Sequence, residues 1–337
     1  MSIITVIGAG VMGSAMSFPA CDNGHIVRLV GTMLDRDIIT FAKQSGFHKT
    51  LDRKLPDNVE CFQLEELQAA LDGVDMIISG VSSFGVEWFC KDILPSLPNN
   101  VPVISVTKGM LNNPDGSISS YIKYYETEYP DRSFLAIGGP CTSYELADRD
   151  NSFVGFCGNC MDSLLFAKEI LESPYYHISL TKDVEGFECA VALKNAYALA
   201  VSLAVGLSLK ESDILHYNSQ AALFTQSTVE IRRLLALFGF YEDNLAFSIG
   251  DLYVTIFGGR TRRVGTLFGM GYSFDEVMKE LNGVTLESIV ISERIGKAIL
   301  TCVELDKTHK EHFPLLLHIY DIITANAPVN IPWKQFG

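Results

Sequence analysis

Positive charge is scarce in this 337-residue chain: 26 Lys and Arg stand against 40 Asp and Glu, a formal net charge of −14. Nucleic acid and anionic membrane surfaces both call for a cationic face, so neither is expected as a partner. Uninterrupted apolar runs are scarce too. The most apolar stretch, 189–207, contains Lys194 and Asn195 and reads as a buried helix, with no membrane insertion expected. No basic region or cleavage site precedes the first strand pattern, so no secretory leader is expected and the compartment is taken as cytoplasmic. Repeats and low-complexity tracts are missing, which excludes solenoids and long disordered arms. The eight cysteines include a single CxxC spacing, Cys157 and Cys160. Without a second pair it makes no four-ligand zinc site, and free thiols in a reducing compartment are the simplest account. The histidines show no ligand spacing; His309 and His312 sit in a charged segment that reads as a solvated face, and no metal is expected.

What is present is an ordinary globular composition, 48% hydrophobic and 20% charged, long enough for two domains. The first half alternates apolar strand patterns (3–7, 26–30, 76–81, 101–106, 134–137, 152–156) with helical ones (14–23, 64–71, 86–94). Such alternation predicts right-handed βαβ units and an α/β, doubly wound parallel sheet. From about residue 184 strand signals fade, and helical periodicity takes over at 188–206, 218–238, 274–281, 288–303 and 314–326. The expected organisation is a nucleotide-binding Rossmann-like domain, 1–183, and an all-α substrate and catalytic domain, 184–337.

The first strand runs into Gly8-Ala-Gly10-Val11-Met12-Gly13, a G-x-G-x-x-G between a strand and a helix. Gly8 permits the tight turn, Gly10 lets backbone approach a pyrophosphate, and Gly13 lets helix and strand pack closely. Val11 and Met12 open the helix, whose unpaired N–H groups suit phosphate. The end of the second strand bears on the coenzyme. NAD sites usually place an acid there, but the chain reads Val30-Gly31-Thr32, with no acid before Asp35. NADP or NAD is therefore expected, with NADP slightly preferred and Thr32 near the ribose.

Four more segments carry chemistry. Ser105-Val-Thr-Lys108-Gly109 and Gly138-Gly139-Pro140-Cys141 each follow a strand; Lys194-Asn195 lies inside the apolar helix; Gly250-Asp251-Leu252-Tyr-Val-Thr255 precedes Gly258-Gly259-Arg260-Thr261-Arg262-Arg263. A lysine within an apolar helix must snorkel, pair with an acid or serve a function. Taken in order, from about Ile3 to about Ala325, these segments resemble the NAD(P)-dependent glycerol-3-phosphate dehydrogenase family.

The resemblance implies reversible reduction of dihydroxyacetone phosphate to sn-glycerol 3-phosphate, feeding glycerophospholipid synthesis. It casts Lys194 as the acid/base, with Lys108 and Asp251 in the catalytic set. Substrate contacts fall to Lys108, Gly139, Cys141, Lys194, Asp251, Thr255, Gly259, Arg260 and Thr261. Coenzyme contacts beyond the glycine turn and Thr32 fall to Lys108, Ser143, Arg260 and Asn282. The acidic chain needs a local cationic cluster to hold an anion; Lys108, Lys194, Arg260, Arg262 and Arg263 supply one. The expected partner is a small phosphorylated ketone, and a homodimer is allowed for. Three positions depart from the family pattern: Thr261 replaces Asn, Cys141 replaces Ser, and Asn282-Gly283 stands for Glu-Gly or Gln-Gly. Thr261 keeps open a related dehydrogenase acting on a larger phosphorylated ketose or keto acid; a non-catalytic nucleotide sensor is a separate alternative, whose mark would be loss of Lys194 or Asp251, and both are present.

Overall fold

The computed structural model describes residues 1–113, 117–212, 214–240, 244–281 and 286–337, without the side chain of Asn112. The chain divides into two compact units, Met1–Lys108 with Tyr121–Phe187, and Gly109–Ser120 with Glu188–Gly337.

The first unit opens with β1 (Ile3–Ile7), α1 (Val11–Ala15), α2 (Ser17–Asp22), β2 (Ile26–Val30) and α3 (Arg36–Ser45). A short ladder, β3 (Phe47–His48) with β4 (Arg53–Lys54), leads to β5 (Val59–Phe62), α4 (Leu67–Ala70), β6 (Met76–Ser79), α5 (Val86–Trp88) and β7 (Val103–Ser105). The hairpin β8 (Met110–Asn112) and β9 (Ile118–Ser120) goes to the second unit. The first unit resumes with α6 (Tyr121–Glu128), β10 (Phe134–Gly138), α7 (Ser143–Ala147), β11 (Ser152–Gly158), α8 (Met161–Leu171) and β12 (Tyr176–Thr181).

Eight strands form one sheet in the order β12-β11-β10-β7-β6-β1-β2-β5. Numbered within this sheet by chain position, β5 to β10 read 3-2-1-4-5-6, the order of dinucleotide-binding sheets, whose ligands sit where the order reverses. That reversal lies between β1 and β6. Burial on both faces explains the apolar runs: every residue of β6 and β10 is buried.

The sheet departs from the all-parallel expectation at one ladder, β10 with β11, which is antiparallel; β11 and β12 are parallel to each other. The physical reason is α7. Its five residues rise only about 7 Å, too short to carry the chain back along a strand of about 17 Å, so β11 starts at the end where β10 stops. β5 and β12 were not anticipated because they are short or half-buried edge strands with mixed polarity.

The second unit contains α9 (Val184–Ser212, its first turn in unit one), α10 (Tyr217–Leu237), α11 (Leu245–Thr255), α12 (Gly259–Met270), α13 (Phe274–Glu280), α14 (Glu287–Glu304) and α15 (Pro314–Ala325). Helix α9 is long and apolar enough to span a bilayer, but 89% of its most apolar window is buried within the protein. Its Ala196, Leu199 and Leu203 share a core with Leu234, Phe268, Ile295 and Ile319. Helix α12 lies hard against α9. A Cβ on Gly265 would meet the Leu199 carbonyl oxygen at 2.4 Å, and one on Gly269 the Leu203 oxygen at 2.2 Å. Glycine is a poor helix former, which is why α12 escaped the sequence reading; close packing on α9 outweighs propensity here. The β8–β9 hairpin adds two short strands to this otherwise helical unit, with Arg294 of α14 donating to the Met110 carbonyl.

Candidate active site

In the first unit the glycine turn sits at the reversal of strand order. Gly8 has φ +110°, and a Cβ there would lie 2.7 Å from the Gly80 carbonyl carbon; one on Gly13 would lie 2.4 Å from the Gly8 oxygen. These two glycines are required by the fold itself. Gly10 is different: its backbone is extended (φ −67°, ψ 168°), and the nearest protein atom to its Cβ position is 3.9 Å away. A Cβ at Gly10 would make only an ordinary contact with protein and would point into the cradle, which fits a dinucleotide. Gly80 completes the turn, since its own Cβ would strike the Gly8 oxygen at 2.7 Å. Nothing in the sequence marks it among 27 glycines. Val11 and Met12 form the first turn of α1, and α1 packs against α7, which begins at the buried Ser143.

The loop after β2 folds back on itself. Asp35 turns back so that its Oδ2 accepts from the Thr32 N–H at 2.9 Å and the Thr32 hydroxyl at 2.7 Å. The first acid after β2 is thus engaged by the loop that follows the strand and by the glycine turn. Lys108 follows β7 and donates from Nζ to the Gly139 carbonyl at 3.2 Å, which brings the lysine and the Gly139–Cys141 loop together. Cys157 is buried and Cys160 exposed, with neither in a disulfide.

In the second unit Lys194 of α9 and Asp251 of α11 form an ion pair at 2.8 Å, their side chains 11% and 1% exposed. Thr255 accepts from the same ammonium at 2.8 Å and donates its own hydroxyl to the Asp251 backbone carbonyl at 2.7 Å. Ser248, one turn before Asp251, donates to the Ala190 carbonyl at 2.5 Å. Residues 248, 251 and 255 thus share the face of α11 that meets residues 190 and 194 of α9. Burial of a charge requires pairing of this kind, and here the acid and the hydroxyl aim the ammonium.

Lys194, Asn195 and Thr255 line a cavity of about 250 Å³ together with Gly258–Thr261 and Leu286–Ser288. Gly259, Arg260 and Thr261 therefore share one cavity with Lys194. Arg262 and Arg263 do not line it: Arg262 donates to the Ile256 carbonyl, and Arg263 pairs on the surface with Glu280 at 2.8 Å. They are tied up because the first turn of α12 points only its leading residues at the cavity. Asn282 lies outside the described residues. Glu287, in the first turn of α14, lines the cavity and was missed by the sequence reading; an acid opening a helix is too common a pattern to single out.

A dinucleotide-type sheet with an open glycine cradle, joined to a helical unit bearing a buried lysine–carboxylate pair, defines a two-domain NAD(P)-dependent dehydrogenase. Comparison with known proteins narrows the class. Residues 3–160 match the N-terminal model of NAD-dependent glycerol-3-phosphate dehydrogenase and residues 183–333 its C-terminal model. The chain is 32% identical over 283 residues to the NADP(+)-dependent glycerol-3-phosphate dehydrogenase of Archaeoglobus fulgidus, covering 83% of each. It is 28% identical over 332 residues to the glycerol-3-phosphate dehydrogenase [NAD(P)+] of Geobacillus kaustophilus, covering 96% of this chain and 91% of that one. The crystal structure of glycerol-3-phosphate dehydrogenase from Coxiella burnetii shares the fold, with a TM-score of 0.82 at 22% identity over 97% of this chain and 96% of that one. This chain belongs to the NAD-dependent glycerol-3-phosphate dehydrogenase family.

Proposed function

We propose that this protein reduces dihydroxyacetone phosphate to sn-glycerol 3-phosphate, reversibly, with NADH or NADPH as coenzyme. The observation that carries the reading is the Lys194 ammonium, held by Asp251 and Thr255 at 2.8 Å each in a cavity that also presents Arg260 and Thr261. The reduced nicotinamide, when bound, supplies the hydride. Lys194 donates the proton to the carbonyl oxygen and becomes a neutral amine, reprotonated from solvent. Asp251 keeps the ammonium oriented, and Thr255 fixes the same nitrogen from a second side. Arg260 takes the substrate phosphate with a planar fork of donors, helped by Gly259 and Thr261. Gly8, Gly10, Val11, Met12 and Gly13 seat the pyrophosphate, with Ser143 beside them and Thr32 toward the ribose. Lys108, next to Gly139 and Cys141, supplies the second positive charge to substrate and coenzyme.

The organisation proposed is a coenzyme domain, 1–183, and a catalytic domain, 184–337, in a cytoplasmic enzyme whose product enters glycerophospholipid synthesis. Oxidation of NADH and of NADPH, followed at 340 nm with dihydroxyacetone phosphate, tests the proposal. Turnover with this ketone is expected with both coenzymes. Turnover only with larger phosphorylated ketoses or with keto acids would replace the substrate, and coenzyme binding without turnover of any of them would make the protein a sensor.

A further inference from the structure

The glycine turn is gripped by two side chains that lie outside its sequence motif. The Ala9 N–H donates to Asp35 Oδ2 at 3.1 Å, and the Ala9 carbonyl lies 2.9 Å from His48 Nε2. The direction of the second bond follows from the other ring nitrogen. Leu51 N–H donates to His48 Nδ1 at 2.9 Å, so Nδ1 is the acceptor and the proton sits on Nε2, facing Ala9. Burial lowers the pKa of this imidazole, in keeping with a neutral ring that accepts at Nδ1. Ala9 and His48 are both fully buried, so water does not substitute for either partner.

The consequence lies in the planarity of the peptide bond. The Ala9 carbonyl shares a rigid plane with the Gly10 N–H, and the Ala9 N–H shares one with the Gly8 carbonyl. Holding both polar atoms of Ala9 fixes two successive peptide planes, and with them the direction of the Gly10 N–H beside the open cradle. The same Asp35 oxygen also holds Thr32, so the end of β2, the start of α3 and the glycine turn meet at one atom.

We infer that Asp35 and His48 are positioning residues for the coenzyme: together they clamp the Ala9 peptide and aim the Gly10 amide at the pyrophosphate. The inference rests on the reading of this turn as the coenzyme site. It is tested in the whole enzyme with His48→Leu, Asp35→Ala and His48→Gln, the last of which keeps a donor at the Nε2 position. The readouts are NADH affinity by nicotinamide fluorescence, KM for each substrate, kcat at saturating NADH, and thermal midpoint. Folded His48→Leu and Asp35→Ala are expected to bind NADH about tenfold more weakly, the scale of one lost hydrogen bond to a buried amide. Saturating kcat and the KM for dihydroxyacetone phosphate should stay within about twofold, and His48→Gln should regain most of the affinity. Should His48→Leu not fold, Asp35→Ala and His48→Gln decide the matter. Unchanged NADH affinity in the folded variants would overturn the clamp, as would His48→Gln binding as weakly as His48→Leu, or ketone KM moving as much as coenzyme KM. A wild type that binds neither NADH nor NADPH would instead overturn the coenzyme site itself.

Discussion

At the scale of single residues the proposed chemistry concentrates in Lys194, Gly10 and Thr261. Lys194→Ala is expected to lower kcat at least about 100-fold, the scale of losing a general acid, with NADH affinity little changed; near-wild-type turnover in a steady-state assay would remove it as proton donor. Gly10→Val should fold normally, because beyond the chain neighbours the nearest protein atom to the new Cβ is the Gly80 oxygen at 3.9 Å, yet lose coenzyme binding. Circular dichroism and NADH titration on one sample read both halves of that statement. Thr261 lines the cavity beside Arg260. Its hydroxyl is a shorter donor than an asparagine amide, and a hydrogen bond to a charged group is worth about 1.5–3 kcal/mol. Thr261→Asn should therefore lower the KM for dihydroxyacetone phosphate roughly tenfold or more. A KM and substrate ranking that stay where they were would show that residue 261 does not touch the substrate. Lys194 was legible as an anomaly of composition, a lysine inside an apolar helix. Asp35 was not, because its role depends on a loop turning back by a distance that spacing along the chain does not encode.

At the scale of elements, helices α9, α11 and α12 build the candidate site by packing, and the α9–α12 contact is the tightest part of it. Gly265→Ala would put a methyl 2.4 Å from the Leu199 carbonyl oxygen. Backbone must move to admit it, and overpacking of this kind costs about 1–3 kcal/mol; a lowered thermal midpoint together with a raised ketone KM is the expected result. Helix α15 is secured differently. Glu230 of α10 is fully buried and accepts from the Leu315 and Leu316 N–H groups at the start of α15, from Gln226 and from the Tyr197 hydroxyl. Burial outweighs these four donors and raises its pKa to about 7. A carboxyl raised above its unfolded value binds more protons in the folded state. Its contribution is therefore fully present below the ordinary carboxylate range and declines as pH rises toward 7. Glu230→Gln should flatten the fall of thermal midpoint between about pH 5 and 7 relative to wild type; parallel curves would mean that Glu230 does not titrate in that window. Helices 188–206 and 314–326 were legible from periodicity alone, whereas α11 and α12, which complete the candidate site around Lys194 of α9, were not. Functional glycines and a polar Gly-Asp turn of sequence broke the pattern that packing restores.

At the scale of the whole molecule, a protein of net charge −14 is read as binding two anions, which its long-range field opposes. The local solution uses few cations. Among the described residues of the cavity, Lys194 and Arg260 supply the positive charge and Glu287 adds a negative one. The proposed Lys108, beside Gly139, belongs to the other unit. The division into units also cuts across chain order, since residues 109–120 leave the sheet unit for the helical one. No composition shift announces that excursion; it is defined by Met110 and Ile118 finding their apolar neighbours in the helical core.

The sequence alone determined whatever is local and periodic: the strand–glycine–helix turn, the βαβ alternation, the helical second half, and an ordered set of motifs specific enough to indicate the family. These are legible because backbone sterics and amphipathic period act over a few residues. The tertiary structure alone decided which charges serve the site. It paired Lys194 with Asp251 across 57 residues, withdrew Arg262 and Arg263 to a carbonyl and a surface acid, brought Glu287 to the cavity, and returned Asp35 and His48 to the glycine turn. Electrostatics and hydrogen bonding act at a few ångströms in space whatever the separation along the chain, and only the packed core sets those distances.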